Sequence, residues 1–113
     1  MKKLLLTGGF GFLGNHIYNS LKKDYDVYRF RSKDFDLRNK VDVINLFNKI
    51  KPNYVIHAAA RLGGIGDNNN NPAHYYYDNI IMGINMLKVA SDFKIEKLIN
   101  IGTVCSYPKF TPT

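Results

Sequence analysis

Thr7-Gly8-Gly9-Phe10-Gly11-Phe12-Leu13-Gly14 decides how the chain is read, because of what stands on either side of it. Before it, Lys3-Leu4-Leu5-Leu6-Thr7 is a short apolar run of strand length. After it, Leu13, Ile17 and Leu21 recur every four residues, the spacing of one helix face. A glycine-rich turn between strand and helix suits a pyrophosphate. Glycine tolerates the positive φ of a tight turn and lets the main chain approach the phosphates, and the helix N-terminus offers unpaired N–H groups and a positive dipole end. The stretch satisfies both Gly9-x-Gly11-x-x-Gly14 and Gly8-x-x-Gly11-x-x-Gly14. A bare match would say little, but with strand and helix in place it reads as a dinucleotide-binding loop. Gly8, Gly9, Phe10, Gly11, Phe12, Leu13 and Gly14 are its candidate cofactor-binding residues, with Gly14 letting helix and strand pack closely.

Working outward, three more apolar runs read as strands: Asp26 to Phe30, Tyr54 to Ala58 and Leu98 to Gly102. Between them, Val43, Phe47 and Ile50 recur at helical spacing, and Ile80, Ile84 and Leu87 mark the longest helix, expected to start near Pro72. Strands that alternate with helices form a parallel sheet covered on both faces, since each crossover lays a helix over the sheet. The expected class is therefore α/β, a Rossmann-type parallel sheet with flanking helices. With about four strands it looks incomplete, lacking C-terminal strands and a substrate domain.

The end of the second strand selects the cofactor, because a carboxylate there binds a ribose 2′-hydroxyl and an arginine a 2′-phosphate. Here the sequence runs Tyr28-Arg29-Phe30-Arg31-Ser32-Lys33. Planar, always-charged Arg31 is the better phosphate partner, with Arg29 or Lys33 in support, so NADP(H) is expected. The alternative is a solvated basic strand end, since Asp34 and Asp36 also lie about twenty residues from the loop. Asp36 and Leu37 are counted with the cofactor-binding residues.

Ligands in open parallel sheets lie beyond the carboxyl ends of the strands. After the third strand, Ala58, Ala59 and Ala60 leave room for a cofactor, while His57 reads as a structural core histidine satisfied by backbone. Arg61-Leu62-Gly63-Gly64-Ile65-Gly66 then reads as a flexible substrate wall, and Asn68 to Asn71 as a solvated loop. After the fourth strand, the Thr103 hydroxyl is placed to polarise a carbonyl, although a threonine there also serves as a cap or turn former. Cys105 by itself reads as a buried structural residue.

Composition narrows the field. The 113 residues, 45% hydrophobic and 22% charged, are ordinary for one folded domain and exclude disordered and fibrous classes. No apolar run approaches the ~18 residues of a membrane span, and Leu4 to Leu6 stop too soon for a signal peptide, so a cytoplasmic protein with no membrane partner is expected. One cysteine makes no internal disulfide, and no His/Cys spacing suggests a metal. The net charge of +7 would suit nucleic acid, an acidic surface or an anionic cofactor. Only Arg29 to Lys40 is locally dense, which favours one anion site over a nucleic-acid groove.

Three blocks resemble the extended short-chain dehydrogenase/reductases, the NAD-dependent epimerase/dehydratase superfamily, that work on nucleotide sugars. They are Thr7 to Gly14; His57-Ala58-Ala59-Ala60-Arg61-Leu62-Gly63-Gly64-Ile65 with Asn68-Asn69, Pro72-Ala73 and Asn79; and Gly102-Thr103-Val104-Cys105-Ser106-Tyr107-Pro108-Lys109. The last two are most similar to the N-terminal part of the GDP-L-fucose synthases, NADPH-dependent 3,5-epimerase/4-reductases acting on GDP-4-keto-6-deoxymannose. The resemblance implies that Thr103 hydrogen-bonds the 4-keto oxygen and that Cys105 exchanges the proton beside it. It places Arg61, Gly63, Gly64 and Asn79 against the GDP-sugar.

The chain also departs from that pattern. The family's Tyr-x-x-x-Lys pair, the histidine partner of the cysteine and the substrate domain all fall beyond Thr113. Tyr18-Asn19-Ser20-Leu21-Lys22 matches the spacing but reads as surface of the first helix. Residues 1–113 are thus expected to be the N-terminal portion of an NADP-binding domain, inactive alone, pairing with a second copy or a complementing C-terminal chain. Two alternatives stand beside this: another nucleotide-sugar epimerase or dehydratase, and a truncated non-catalytic NADP-binding module.

Overall fold

The structure, a computed structural model, describes residues 1–59 and 72–101, with the backbone alone over 72–76. Leu4, Leu5 and Leu6 are neighbours in sequence and part company in space, because successive strand residues point to opposite faces. Their strand, β1 (Lys3–Thr7), begins the series α1 (Phe12–Leu21), β2 (Asp26–Tyr28), α2 (Lys40–Ile50), β3 (Tyr54–His57), α3 (Pro72–Asp92) and β4 (Lys97–Asn100). The four described strands form one sheet in the order β2-β1-β3-β4, every pair parallel. Thr7 stands beside His57, and His57 beside Asn100.

The alternation builds two cores. On one face Leu5 and Val55 meet Val43, Leu46, Phe47 and Ile50 of α2 and Met82, Met86, Val89 and Ala90 of α3. On the other, Leu4, Leu6 and Ile56 pack against Ile17, Tyr18 and Leu21 of α1. Among the described residues the sheet is therefore covered on both faces, by α1 on one side and by α2 with α3 on the other. Asn39 starts α2 by accepting the Val41 N–H at 2.9 Å, and Lys51, in the left-handed region at φ 52°, stops it.

Strands stand where the apolar runs placed them, but end earlier. β2 stops at Tyr28, not Phe30, because Phe30 turns in to pack edge-on against Phe35. β3 stops at His57, not Ala58: the Ala58 and Ala59 N–H groups donate to the Thr7 hydroxyl at 3.0 and 3.1 Å. β4 starts one residue early, at Lys97, and ends at Asn100. Helix α3 starts at Pro72 as expected, yet Ile80, Ile84 and Leu87 are 48%, 55% and 61% exposed. Apolar residues lie nearly all round this helix, so periodicity offered two stripes, and packing on α2 and the sheet chose the methionine stripe. Leu13 is likewise exposed on α1. Among the described residues no helix is long and apolar enough to cross a membrane.

Candidate functional site

In the order β2-β1-β3-β4 the chain turns back on itself between β1 and β3, so their carboxyl ends open the crevice where an open parallel sheet receives ligands. The floor of the crevice is a small hydrogen-bonded knot. Thr7 Oγ1 lies 2.7 Å from His57 Nδ1, both residues buried, and accepts the Ala58 and Ala59 N–H groups. The Ala58 N–H is shared with the Thr7 carbonyl at 3.2 Å, and with two N–H groups aimed at its oxygen the hydroxyl donates its own proton to His57 Nδ1. His57 is thereby fixed as the neutral Nε2–H tautomer, and burial lowers its pKa from 6.5 to about 4. It is structural, as expected, but what satisfies Nδ1 is the Thr7 side chain and not the backbone.

Above this knot the four loop glycines have different causes. Gly8 sits at φ +69°, and a Cβ there would lie 2.8 Å from the Ala58 carbonyl carbon and the Ala59 nitrogen. At Gly9 a Cβ would meet the stem of Arg29, 2.5 Å from its Cγ. Gly14 has no room because a Cβ would run into the Gly8 carbonyl; its close approach is to the loop itself, at Gly8 and Gly9, where the sequence suggested helix against strand. Gly11 is the exception. Its φ of −77° and ψ of 178° suit any residue, and a Cβ would meet only the Gly8 oxygen, at 3.4 Å. Nothing in the described fold requires glycine there, whereas a ligand lying on the main chain would. Gly11 is also the N-cap of α1, which has no side-chain cap and no acidic residue in its first turn. Among the described residues no side chain caps this helix end, and the cradle fits a pyrophosphate.

Beyond β2 the extended chain sends Arg29 and Arg31 to one side and Phe30 to the other, into the α2–α3 core. Arg29 is bound into the loop, donating to the Gly9 carbonyl at 3.3 Å and to Asn15 Oδ1 at 3.0 Å. Its guanidinium carbon lies 3.5 Å from the centroid of the Tyr18 ring and 4.2 Å from that of Phe10. Arg31 lies over the same Phe10 ring at 4.1 Å. Lys22 stands over Tyr18 at 5.6 Å, so the Tyr-x-x-x-Lys spacing of α1 makes a surface stack, as read from the sequence.

The remaining candidates divide. Asp36 is gripped by the Arg38 guanidinium at 3.0 and 2.9 Å and by the Arg38 backbone N–H at 3.0 Å, and Arg38 reaches buried Asp78 on α3 at 3.5 Å. Leu37 puts its side chain into the core and its carbonyl to Asn85 Nδ2, leaving its N–H as the group a cofactor could use. Ala58 and Ala59 border the crevice, and Asn79 sits half-buried on α3. Phe12 is exposed at the start of α1, where it meets His16 edge-on. Ala60, Arg61, Gly63, Gly64, Thr103 and Cys105 lie outside the described residues. Sequence reading missed the Thr7–His57 pair and the Arg38 link to Asp78. Both join residues far apart in the chain, and no local spacing announces them.

Residues 4–113 match the NAD dependent epimerase/dehydratase family. The chain is similar to a GDP-L-colitose synthase of Yersinia pseudotuberculosis, 44% identical over 108 residues, covering 95% of this chain and 35% of that protein. It is 35% identical over 114 residues to a GDP-L-fucose synthase of Dictyostelium discoideum, covering 97% and 36%. A GDP-L-fucose synthetase from Naegleria fowleri, solved bound to NADP, superposes with a TM-score of 0.75 at 35% identity over 88% of this chain and 30% of that one. The chain spans about a third of the length of these relatives.

Proposed function

The chain belongs to the NAD dependent epimerase/dehydratase family, and from that membership we propose that it is the N-terminal, cofactor-binding part of a GDP-L-fucose synthase-like, NADPH-dependent 3,5-epimerase/4-reductase acting on GDP-4-keto-6-deoxymannose. The observation that carries the reading is Gly11, a glycine without an internal cause, at an uncapped helix end beside two arginines. The cofactor is NADP(H), which the Naegleria relative binds, and it supplies hydride to the sugar. The chain's own residues bind and orient. The loop Gly8 to Gly14 and the α1 N-terminus receive the pyrophosphate, with Ala58 and Ala59 bordering the crevice and Ala60 counted with the cofactor-binding residues. Arg29 and Arg31 face the 2′-phosphate, and Asp36 and Leu37 border the adenosine.

In the sugar half, Thr103 hydrogen-bonds and polarises the 4-keto oxygen, and Cys105 moves the proton on the neighbouring carbon. Arg61, Gly63, Gly64 and Asn79 line the GDP-sugar. The higher identity with the colitose synthase favours a second reading of the substrate, with the same fold and cofactor but a GDP-L-colitose product.

Titration with both cofactors tests the proposal. NADPH binds more tightly than NADH by about 1–3 kcal/mol, the worth of charge-assisted bonds to the 2′-phosphate, and Arg31→Ala removes most of the difference. Equal affinities in the wild type would overturn NADP as the cofactor.

A further inference from the structure

We propose that Phe10 is a positioning residue that sets the preference for a 2′-phosphorylated dinucleotide by holding Arg31 over the loop. The inference rests on the dinucleotide reading above and adds which side chain makes the selecting cation available. Arg29 and Arg31 leave β2 on the same side, but their guanidinium groups have different duties. Arg29 is committed to the loop scaffold: its stem lies on Gly9, and its head donates to the Gly9 carbonyl and to Asn15. Arg31 is exposed, and among the described residues it has neither a side-chain hydrogen bond nor a carboxylate partner. What fixes its head is the Phe10 ring, 4.1 Å away.

Among the described residues Phe10 itself has no packing reason to be aromatic. It is 39% exposed and belongs to neither hydrophobic core. Its ring is shared by two guanidinium groups, at 4.2 and 4.1 Å, which repel one another. The negative face of an aromatic ring offsets part of that repulsion, and no carboxylate among the described residues pairs with either arginine. The pair is therefore left with an excess of positive charge at the end of β2, beside the cradle. A phosphomonoester, carrying close to two negative charges, is the anion such a pair takes. Leucine at position 10 would leave Arg31 free to swing into solvent. Tyrosine would keep the stack.

The test is the ratio of NADPH to NADH affinity, measured by titration for the wild type, Phe10→Leu, Phe10→Met and Phe10→Tyr, with circular dichroism to establish folding. The two aliphatic variants should shrink the ratio about two- to fivefold, the size of an exposed cation–π contact, and Phe10→Tyr should retain it. A wild-type ratio in either folded aliphatic variant overturns the proposal, as does loss of the ratio in Phe10→Tyr. A wild type that binds both cofactors equally also overturns it and leaves the dinucleotide site standing. A wild type that binds neither overturns both.

Discussion

Two loop glycines that look alike in the sequence separate cleanly at the scale of single residues. Gly14 is excluded from bearing a side chain by the Gly8 carbonyl and the Gly9 Cα, whereas Gly11 has ordinary backbone angles and a nearest neighbour at 3.4 Å. Gly14→Ala should therefore destabilise the fold by about 1–3 kcal/mol despite alanine's better helix propensity, because overpacking against backbone cannot be relieved by a rotamer change. Gly11→Ala should unfold in urea close to the wild type yet bind NADPH at least tenfold more weakly, since its methyl group occupies the approach to the phosphates. Parallel denaturation and cofactor titrations read both effects. A Gly11→Ala protein with native cofactor affinity would remove the ligand from that position.

Among the elements, α3 is where periodicity and packing part. Ile80, Ile84 and Leu87 follow helical spacing as well as Met82, Met86 and Val89 do, but only the second set is buried. Choice of face depends on α2 and the strands beneath, which a reading of α3 alone does not contain. Met86→Ala should cost about 2–5 kcal/mol, as for other buried large-to-small changes, while Ile84→Ser should stay within about 0.5 kcal/mol. Chemical denaturation of the two variants compares them directly, and a larger loss from Ile84→Ser would reverse the assignment of faces. The strand runs, by contrast, were legible because parallel strands buried on both faces are continuous apolar segments. Their ends were not, because the Ala58 N–H is shared between the Thr7 carbonyl and the Thr7 hydroxyl, and the Ala59 N–H goes to that hydroxyl.

For the whole molecule, His57 links stability to pH. It joins β1 to β3 through Thr7, and its carbonyl accepts the Ile101 N–H at 2.9 Å. Burial holds its pKa at about 4 in the fold against 6.5 when unfolded. Between these values the unfolded chain binds the extra proton and the folded one does not. Stability from this group is thus fully present above pH 6.5, declines as pH falls, and is lost by about pH 4, amounting to roughly 3 kcal/mol. His57→Gln should flatten the dependence between pH 4 and 6.5, measured as urea midpoints across that range. An unchanged slope in the variant would show that another group titrates there.

The sequence by itself determined the α/β class, the parallel sheet, the place of each strand and the glycine-rich turn from Gly8 to Gly14 between strand and helix. These rest on local spacing, turn chemistry and burial periodicity, all of which act within a few residues. Tertiary structure alone decided which glycine the described fold requires and which it does not, and which face of α3 is inside. It also decided that Arg29 is tied to Gly9 and Asn15 while Arg31 is held by Phe10. Each of those outcomes depends on groups brought together by the crossovers from far along the chain, and contacts of that kind leave no periodic trace in the sequence.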